Sequence, residues 1–419
     1  MVQENGRKYS SMVRPSKQST KPSTRSSNKK SNSGKRKEDH ESLQPEQTRS
    51  YQQRILNVFQ TAFSSVLSSE NLTTILQEVK TALFNRDFDK AFGNEDYLDA
   101  YAARWSPTRA LCYSSVLNGI RPHLDKLLSQ TEATSPPPAP APADSNVSSA
   151  KAEEEGEDEG PKTNKLLVLA IGGGAAEIVA LASFIGQQQQ QQQTPPAHTT
   201  TSALLLDVAP WGPAVEKLRA ALTTRPEMSK YASASARAAN AAVVEDAARL
   251  DGVAFRRGDV LSLTGGKDDI SSLLGGSASA SGQNRKGEGK GEGEPVLVTL
   301  LFTLNELFNS SPSDDGVGRT TALLFALTGA LPAGSLLLVV DSPGSYSEAA
   351  VGGSSRRYPM RWLLDRVLLQ TAGGAWEKVE SRESAWFRLS SQGLEYPIPL
   401  EDMRYQMHLY RATGGGTAG

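Results

Sequence analysis

One cysteine in 419 residues, Cys112, leaves nothing to pair in a disulfide framework, rules out a Cys-rich zinc site and suits a reducing compartment. Histidine is nearly as scarce. His40, His123, His198 and His408 are scattered without metal-ligand spacing, so no metal is expected. No apolar signal region opens the chain, so secretion is not expected. The apolar run that begins at Leu166 is short and interrupted by glycines and by Glu177, a poor fit to a membrane span. Charge of one sign is also lacking: 45 basic residues against 46 acidic ones give a net charge of −1, which favours no partner by itself.

What is present centres on Leu166-Leu167-Val168-Leu169-Ala170-Ile171-Gly172-Gly173-Gly174-Ala175-Ala176-Glu177. A short apolar run, a glycine turn and a helix over 175–184 read as a buried parallel strand leading into a helix N-terminus. Gly172 and Gly174 let backbone approach a ligand more closely than a side chain would allow. The order of glycines separates three cofactors. A P-loop needs Gly-Lys-Ser/Thr at its end, and no lysine follows here. A dinucleotide turn wants its third glycine where Glu177 stands. A site for S-adenosylmethionine (SAM) tolerates alanine at the last position, as at Ala176, and an acid beside the turn does it no harm. The plain alternative is an ordinary glycine-rich loop.

The chain reads as several segments. Residues 1–50 carry almost no large apolar side chains and are expected to be a disordered basic tail. Their clusters Lys29-Lys30 and Lys35-Arg36-Lys37 read as a nuclear address, a contact to RNA phosphates or simply a solvated tail. Residues 51–131 carry apolar positions at helical spacing and form a helical subdomain, with its aromatic stripes read as core. Within it Ser106 reads as an N-cap and Pro107 as the first residue of a helix running to about Leu128, flanked by Arg104 and Arg109. Residues 132–163 are a Pro/Ala and acidic linker. Residues 164–413 form an α/β domain with low-complexity insertions near 187–199 and 265–294, the polar tract 187–193 being read as loop. Arg285, Lys286 and Lys290 in the second insertion suggest RNA, and residues 414–419 are tail.

Within the α/β domain, Ala203-Leu204-Leu205-Leu206-Asp207 is the second strand. Ligands in such sheets lie outside the carboxyl ends of the strands, so Asp207 is placed to accept from both ribose hydroxyls, with helix capping as its structural alternative. A third strand, 253–255, is followed by Asp259, positioned for an adenine amine. The run from Val296 delivers Thr303, Asn305 and Glu306 to the carboxyl edge beside the glycine turn. Polar residues closing so apolar a run favour a site over a core. A fifth strand spans 335–341, and two late strands, 386–389 and 405–410, read as an antiparallel pair.

Four stretches go beyond a fold class: Arg104-Trp105-Ser106-Pro107, Phe302-Thr303-Leu304-Asn305-Glu306-Leu307-Phe308, Tyr358-Pro359-Met360-Arg361-Trp362 and Met403-Arg404-Tyr405-Gln406-Met407-His408-Leu409-Tyr410. They resemble the fungal family of 25S ribosomal RNA uridine-N3 methyltransferases, over about residues 51–411 less the linker and insertions. The resemblance implies a Rossmann-like class I methyltransferase: a mostly parallel seven-stranded sheet with a C-terminal antiparallel hairpin, preceded by a helical subdomain. It implies SAM as cofactor, held by Ala170, Gly172, Gly173, Gly174, Asp207 and Asp259. The partner it implies is large-subunit ribosomal RNA or a pre-ribosomal particle, met as a monomer in the nucleus or nucleolus and also in the cytoplasm. Methylation of another RNA nitrogen or of protein, or RNA binding by a degenerate assembly factor, are the competing readings. The tracts of Gln, Ala and Gly depart from the family in loops, and bear on Asp259 more than on Gly172 or Asp207.

Uridine methylation at carbon-5 commonly uses a cysteine nucleophile, and Cys112 reads as a small buried hydrophobe. A ring nitrogen needs no covalent help, only loss of the imide proton while N3 is held in line with the methyl sulfonium. Thr303, Asn305 and Glu306 are the candidates for that work. The target base must be unpaired or flipped out, because pairing uses N3. Arg104, Arg109, Arg361, Arg388 and Arg404, together with Arg356 and Arg357, are candidates to grip the surrounding RNA.

Overall fold

Strand β1 (Lys165–Ile171) contributes Leu166, Val168 and Ala170 to one buried cluster and Leu167, Leu169 and Ile171 to another. A strand apolar on both faces needs cover on both, which is the situation of a central parallel strand. The computed structural model describes residues 49–132, 165–191, 200–263, 270–273, 293–308 and 316–414, apart from short gaps inside these spans. All of them belong to one unit, residues 42–419. The basic clusters before residue 40, the linker from 133, the stretch 192–199, Arg285, Lys286 and Lys290 lie outside the described residues.

β1 pairs in parallel with β2 (Thr200–Asp207) on one side and β4 (Val296–Leu301) on the other. Outside these lie β3 (Val253–Arg257) beside β2 and β5 (Leu336–Asp341) beside β4, also parallel. Then come β9 (Met403–Ala412), antiparallel to β5, and β8 (Trp376–Phe387), antiparallel to β9. The resulting order, β3-β2-β1-β4-β5-β9-β8, is the mostly parallel seven-stranded sheet with a closing hairpin expected from the sequence. The chain adds β2 and β3 on one side of β1 and then returns to add β4 and β5 on the other, and this switch in strand order opens a crevice at the carboxyl ends there, the usual place for a ligand in such a sheet.

One face is covered by α1 (Arg49–Ala62), α6 (Ser106–Gly119), α8 (Ala175–Gln191) and α9 (Gly212–Thr223). Ile55, Phe59, Leu111 and Val116 share a single buried cluster with Val168, Leu205 and Leu338, so the N-terminal helices use the sheet as their core. Between α1 and α6 run α2 (Ser64–Leu67), α3 (Leu72–Phe84), α4 (Phe88–Phe92) and α5 (Glu95–Arg104), and α7 (Arg121–Glu132) follows. On the other face, α10 (Leu304–Phe308), α11 (Gly316–Ala330) and α12 (Met360–Asp365) pack over Leu169, Val298 and Val339.

Several local expectations need correction. The helix expected from Pro107 to about Leu128 is two helices, with Ile120 outside both and Pro122 in the first turn of α7, where its missing amide hydrogen does no harm. Trp105, not Ser106, is the N-cap residue of α6, without a side-chain capping bond, because α5 runs almost directly into α6. The glutamines expected to form a loop from 187 continue α8 as far as Gln191, in keeping with the good helix propensity of glutamine. The strand placed at 386–389 is β8, which starts ten residues earlier and ends at Phe387. An unanticipated hairpin, β6 (Tyr346–Val351) with β7 (Ser354–Pro359), stands apart from the main sheet.

Candidate active site

The glycine turn leaves β1 with Gly172 at φ +73°, a conformation side chains resist. It also presses against Thr303, whose Oγ1 and Cγ2 a Cβ at Gly172 would strike. The turn spends its own amides internally. Gly172 and Gly173 donate to the Leu206 carbonyl at 2.8 and 3.3 Å, and Gly174 donates to Glu177 Oε2 at 2.8 Å. A phosphate-gripping turn points those amides at its ligand, so this geometry sides with the sequence in excluding one.

A cavity of about 640 Å³ opens at this edge, within the range of roughly 300–1,000 Å³ typical of small-molecule sites. Gly172, Gly174, Asp207 and Asp259 line it. Ala170 and Gly173 are not among its lining residues: Ala170 is buried in the strand, and a Cβ at Gly173 would meet the Ala170 carbonyl at 2.7 Å. Those two shape the turn and do not face the cavity. Asp207 Oδ1 accepts from the Ala209 amide at 2.7 Å, a local turn bond, while Trp211 occupies the N-cap of α9. Asp259 Oδ1 accepts from Leu261 at 2.9 Å, and its Oδ2 pairs with Arg319 of α11 at 3.1 Å.

Two carboxyls at the inner wall are perturbed. Desolvation pushes Glu177 up to about 7, partly opposed by the Gly174 amide. Desolvation likewise pushes Asp207 up to about 7, the nearby Glu177 adding to it and the Ala209 amide opposing it. Perturbed acids in a cleft mark a candidate site when specific partners accompany them. Here the partner is Arg109. Desolvation works against its charge, while the carboxyls of Glu306 and Glu177 favour it. Its guanidinium lies 5.5 Å from the Tyr101 ring centre and 5.2 Å from that of Phe302, and it donates to the Tyr101 hydroxyl.

Phe302 closes β4 at φ +58°, a left-handed conformation unusual for a bulky residue and costing on the order of 1–3 kcal/mol. Its amide donates to the Val340 carbonyl at 2.7 Å, and the turn swings Thr303 against Gly172. Thr303 and Glu306 line the cavity and Asn305 does not; the Asn305 backbone N–H donates to Asp341 Oδ2 at 3.0 Å on the β5 side. Of Arg104, Arg109, Arg361, Arg388 and Arg404, Arg109 alone lines the cavity. Arg104 pairs with Glu401 at 2.7 Å, Arg361 with Glu383, and Arg388 with Asp402 at 2.8 Å. Arg404 donates to Ser384 Oγ at 2.9 Å. Arg356 and Arg357 belong to β7.

Sequence reading missed the aromatic wall. Phe88, Phe92 and Tyr101, taken for helical core, line the cavity with Trp211. Phe92 meets Tyr101 edge-on at 5.2 Å, and Tyr101 lies 5.8 Å from Trp211. Trp211 packs over Gly174, where a Cβ would come within 2.9 Å of the indole. One signal for it was at hand: a tryptophan four residues beyond Asp207, just where a strand edge turns into a helix. Arg319 of α11, which also lines the cavity, had none.

A family model described as SAM-dependent methyltransferase matches residues 59–411. The chain is 28% identical over 382 residues to a Saccharomyces cerevisiae protein named 25S rRNA (uridine(2843)-N(3))-methyltransferase, with 85% of each chain covered. Among solved structures it is similar to a SAM-dependent methyltransferase from Methanosarcina mazei, at 9% identity, 60% of this chain, 93% of that one and a TM-score of 0.29. An O-methyltransferase family protein from Burkholderia thailandensis gives 11% identity, 83% and 74% coverage and a TM-score of 0.30.

Proposed function

We propose, from the premise that this chain belongs to the SAM-dependent methyltransferase family, that it methylates N3 of a uridine in large-subunit ribosomal RNA. The observation that carries the substrate is the likeness to the yeast 25S rRNA uridine-N3 enzyme along most of both chains. A second observation favours the nitrogen over the carbon. Cys112, the sole cysteine, is fully buried in α6 with its thiol pushed far up by desolvation, so it cannot serve as the nucleophile that carbon-5 chemistry commonly uses.

The residues present fit SAM. Its ammonium and sulfonium are cationic, and the cavity offers Glu177, Asp207 and the faces of Tyr101 and Trp211. Asp207 stands at the carboxyl end of β2 for the ribose, and Asp259 near the end of β3 for the adenine. Arg109 supplies the buried cation for a carboxylate. When bound, SAM supplies an electrophilic methyl group. Thr303 and Glu306 then orient the uracil edge, with the Glu306 carboxylate as the acceptor for the imide proton. Phe302 and the aromatic wall keep the base unpaired and away from water. The basic clusters near residues 30 and 36 act as a nuclear address, placing the enzyme in the nucleus or nucleolus where ribosomal RNA is made.

Product analysis tests the reading. Large-subunit RNA lacking the mark, incubated with the full chain and SAM, should yield 3-methyluridine by chromatography and mass spectrometry. Recovering 5-methyluridine would overturn it. Asp207→Ala should cost at least about tenfold in SAM affinity with the fold intact. Unchanged affinity by calorimetry would move the ribose site elsewhere.

A further inference from the structure

The far end of the sheet carries a surface that the cavity chemistry does not use. β5 ends at Asp341, which is paired with Gln406 of β9, so the first residues of β9 and the last of β8 project beyond the carboxyl edge. There Trp386 stands opposite Arg404 across the strand pair. Trp386 is 46% exposed, with the Arg388 guanidinium 4.5 Å and the Arg404 guanidinium 5.9 Å from its ring centre. The row continues past Ser384, which Arg404 contacts, to Glu383, which Arg361 contacts, and so to Trp362 on α12. Trp362 is 43% exposed and stacks on Tyr358 at 4.7 Å between ring centres.

Charge along β8 is what an edge strand needs to discourage pairing with another chain. That does not account for the tryptophans. The chain has five, Trp105, Trp211 and Trp376 being at least partly buried, and the two exposed ones stand here, each beside arginine. Exposed indoles interleaved with guanidinium groups suit the stacking of unpaired bases, which the arginines complement at the phosphates. The position suits it too. β8 lies three strand spacings from β4, roughly 15 Å, a span that a few nucleotides of single strand cross. Arg104, next to the cavity-lining helices, is tied to Glu401 just ahead of β9, so the two regions adjoin.

We infer that Trp386 and Trp362, with Arg361, Arg388 and Arg404, form a stacking platform for the unpaired nucleotides that flank the target uridine. The inference rests on the reading that the substrate is RNA. It assigns the tryptophans the base contacts and the arginines the phosphate contacts, two contributions that separate by salt dependence.

The test uses the full chain with a fluorescent single-stranded oligouridylate and, separately, an RNA duplex of equal length. Trp386→Ala and Trp362→Ala should each weaken binding of the single strand by about tenfold, with duplex binding and the salt slope unchanged. Trp386→Phe should retain most of the affinity, and SAM affinity and melting temperature should match the parent in every variant. A double tryptophan variant that binds the single strand like the parent overturns the platform and leaves the face to a protein partner. Equal losses on single strand and duplex overturn the stacking role. Methyl transfer is read separately: a parent chain that binds as stated but never methylates large-subunit RNA refutes the enzymatic reading, while the binding result still supports the platform.

Discussion

Arg109 and Arg404 both lie beside aromatic rings, yet one faces a cavity and the other faces water. Arg109 sits among Tyr101, Phe302, Glu306 and Glu177, where low dielectric strengthens each interaction and two neighbouring carboxyls are pushed up to about 7. Arg404 is exposed on the far strand pair, held by one serine hydroxyl. Ion pairs in that outer region, such as Arg361 with Glu383, are largely solvated and contribute little to stability. Burial therefore divides arginines that sequence puts in one group: the inner one belongs with the small ligand, the outer ones with a polyanion that comes and goes.

The sharpest break between the two regions is at the reacting base. Glu306→Gln removes the one ionisable group of the Thr303-Asn305-Glu306 set while keeping its shape. Methyl transfer should fall by about 100-fold, the scale of lost proton-transfer help, with SAM affinity within about twofold. Asn305→Ala serves as the control, since Asn305 is not among the cavity-lining residues. It should leave both quantities within about twofold. A large loss of turnover in the asparagine variant alone would reverse the assignment.

A smaller effect separates the arginines. Arg109→Lys keeps the charge but loses the planar fork, so SAM affinity should drop by about tenfold with the salt slope of RNA binding untouched. Arg404→Ala should do the opposite: RNA binding weakens severalfold and the slope of log affinity against log salt falls by about one. Titrations of both ligands against both variants check this crossing pattern. If Arg109→Lys changes the RNA slope and not SAM affinity, Arg109 and Arg404 act as one group after all.

The inner region was more legible than the outer because its signals are local. A continuous apolar run, a glycine turn and an acid at the next strand edge encode β1, β2 and the crevice between them within about forty residues. Arg109, Tyr101 and Phe92 reach that crevice from more than sixty residues upstream, and no spacing rule announces such a meeting. The strand Trp376–Phe387 was hard to see for a different reason. With one neighbour, β9, and two register shifts, it holds glutamates and arginines that a central strand would exclude. The β6–β7 hairpin, rich in Ser, Gly and Arg, lacks apolar alternation altogether.

The smallest expected effect is also the one that reports the inner charges directly. Glu177 has an ordinary value of 4.5 and is pushed up to about 7 in the fold by desolvation. The folded protein therefore holds this proton more tightly than the unfolded chain. Its contribution to stability is fully present below about pH 4.5 and is lost as pH rises through 7. Asp207, shifted the same way, acts in the same direction. The ligand-free protein should melt lower at pH 8 than at pH 5, and Glu177→Gln should flatten that slope by on the order of 2 kcal/mol, a few degrees in melting temperature. A cationic ligand beside the same carboxyls reverses the trend, since it binds best when they are ionised. SAM affinity should rise across this pH window, with protons released on binding and a calorimetric enthalpy that depends on the buffer. Glu177→Gln should release fewer protons. Equal release from parent and variant would mean that Glu177 does not face the cofactor.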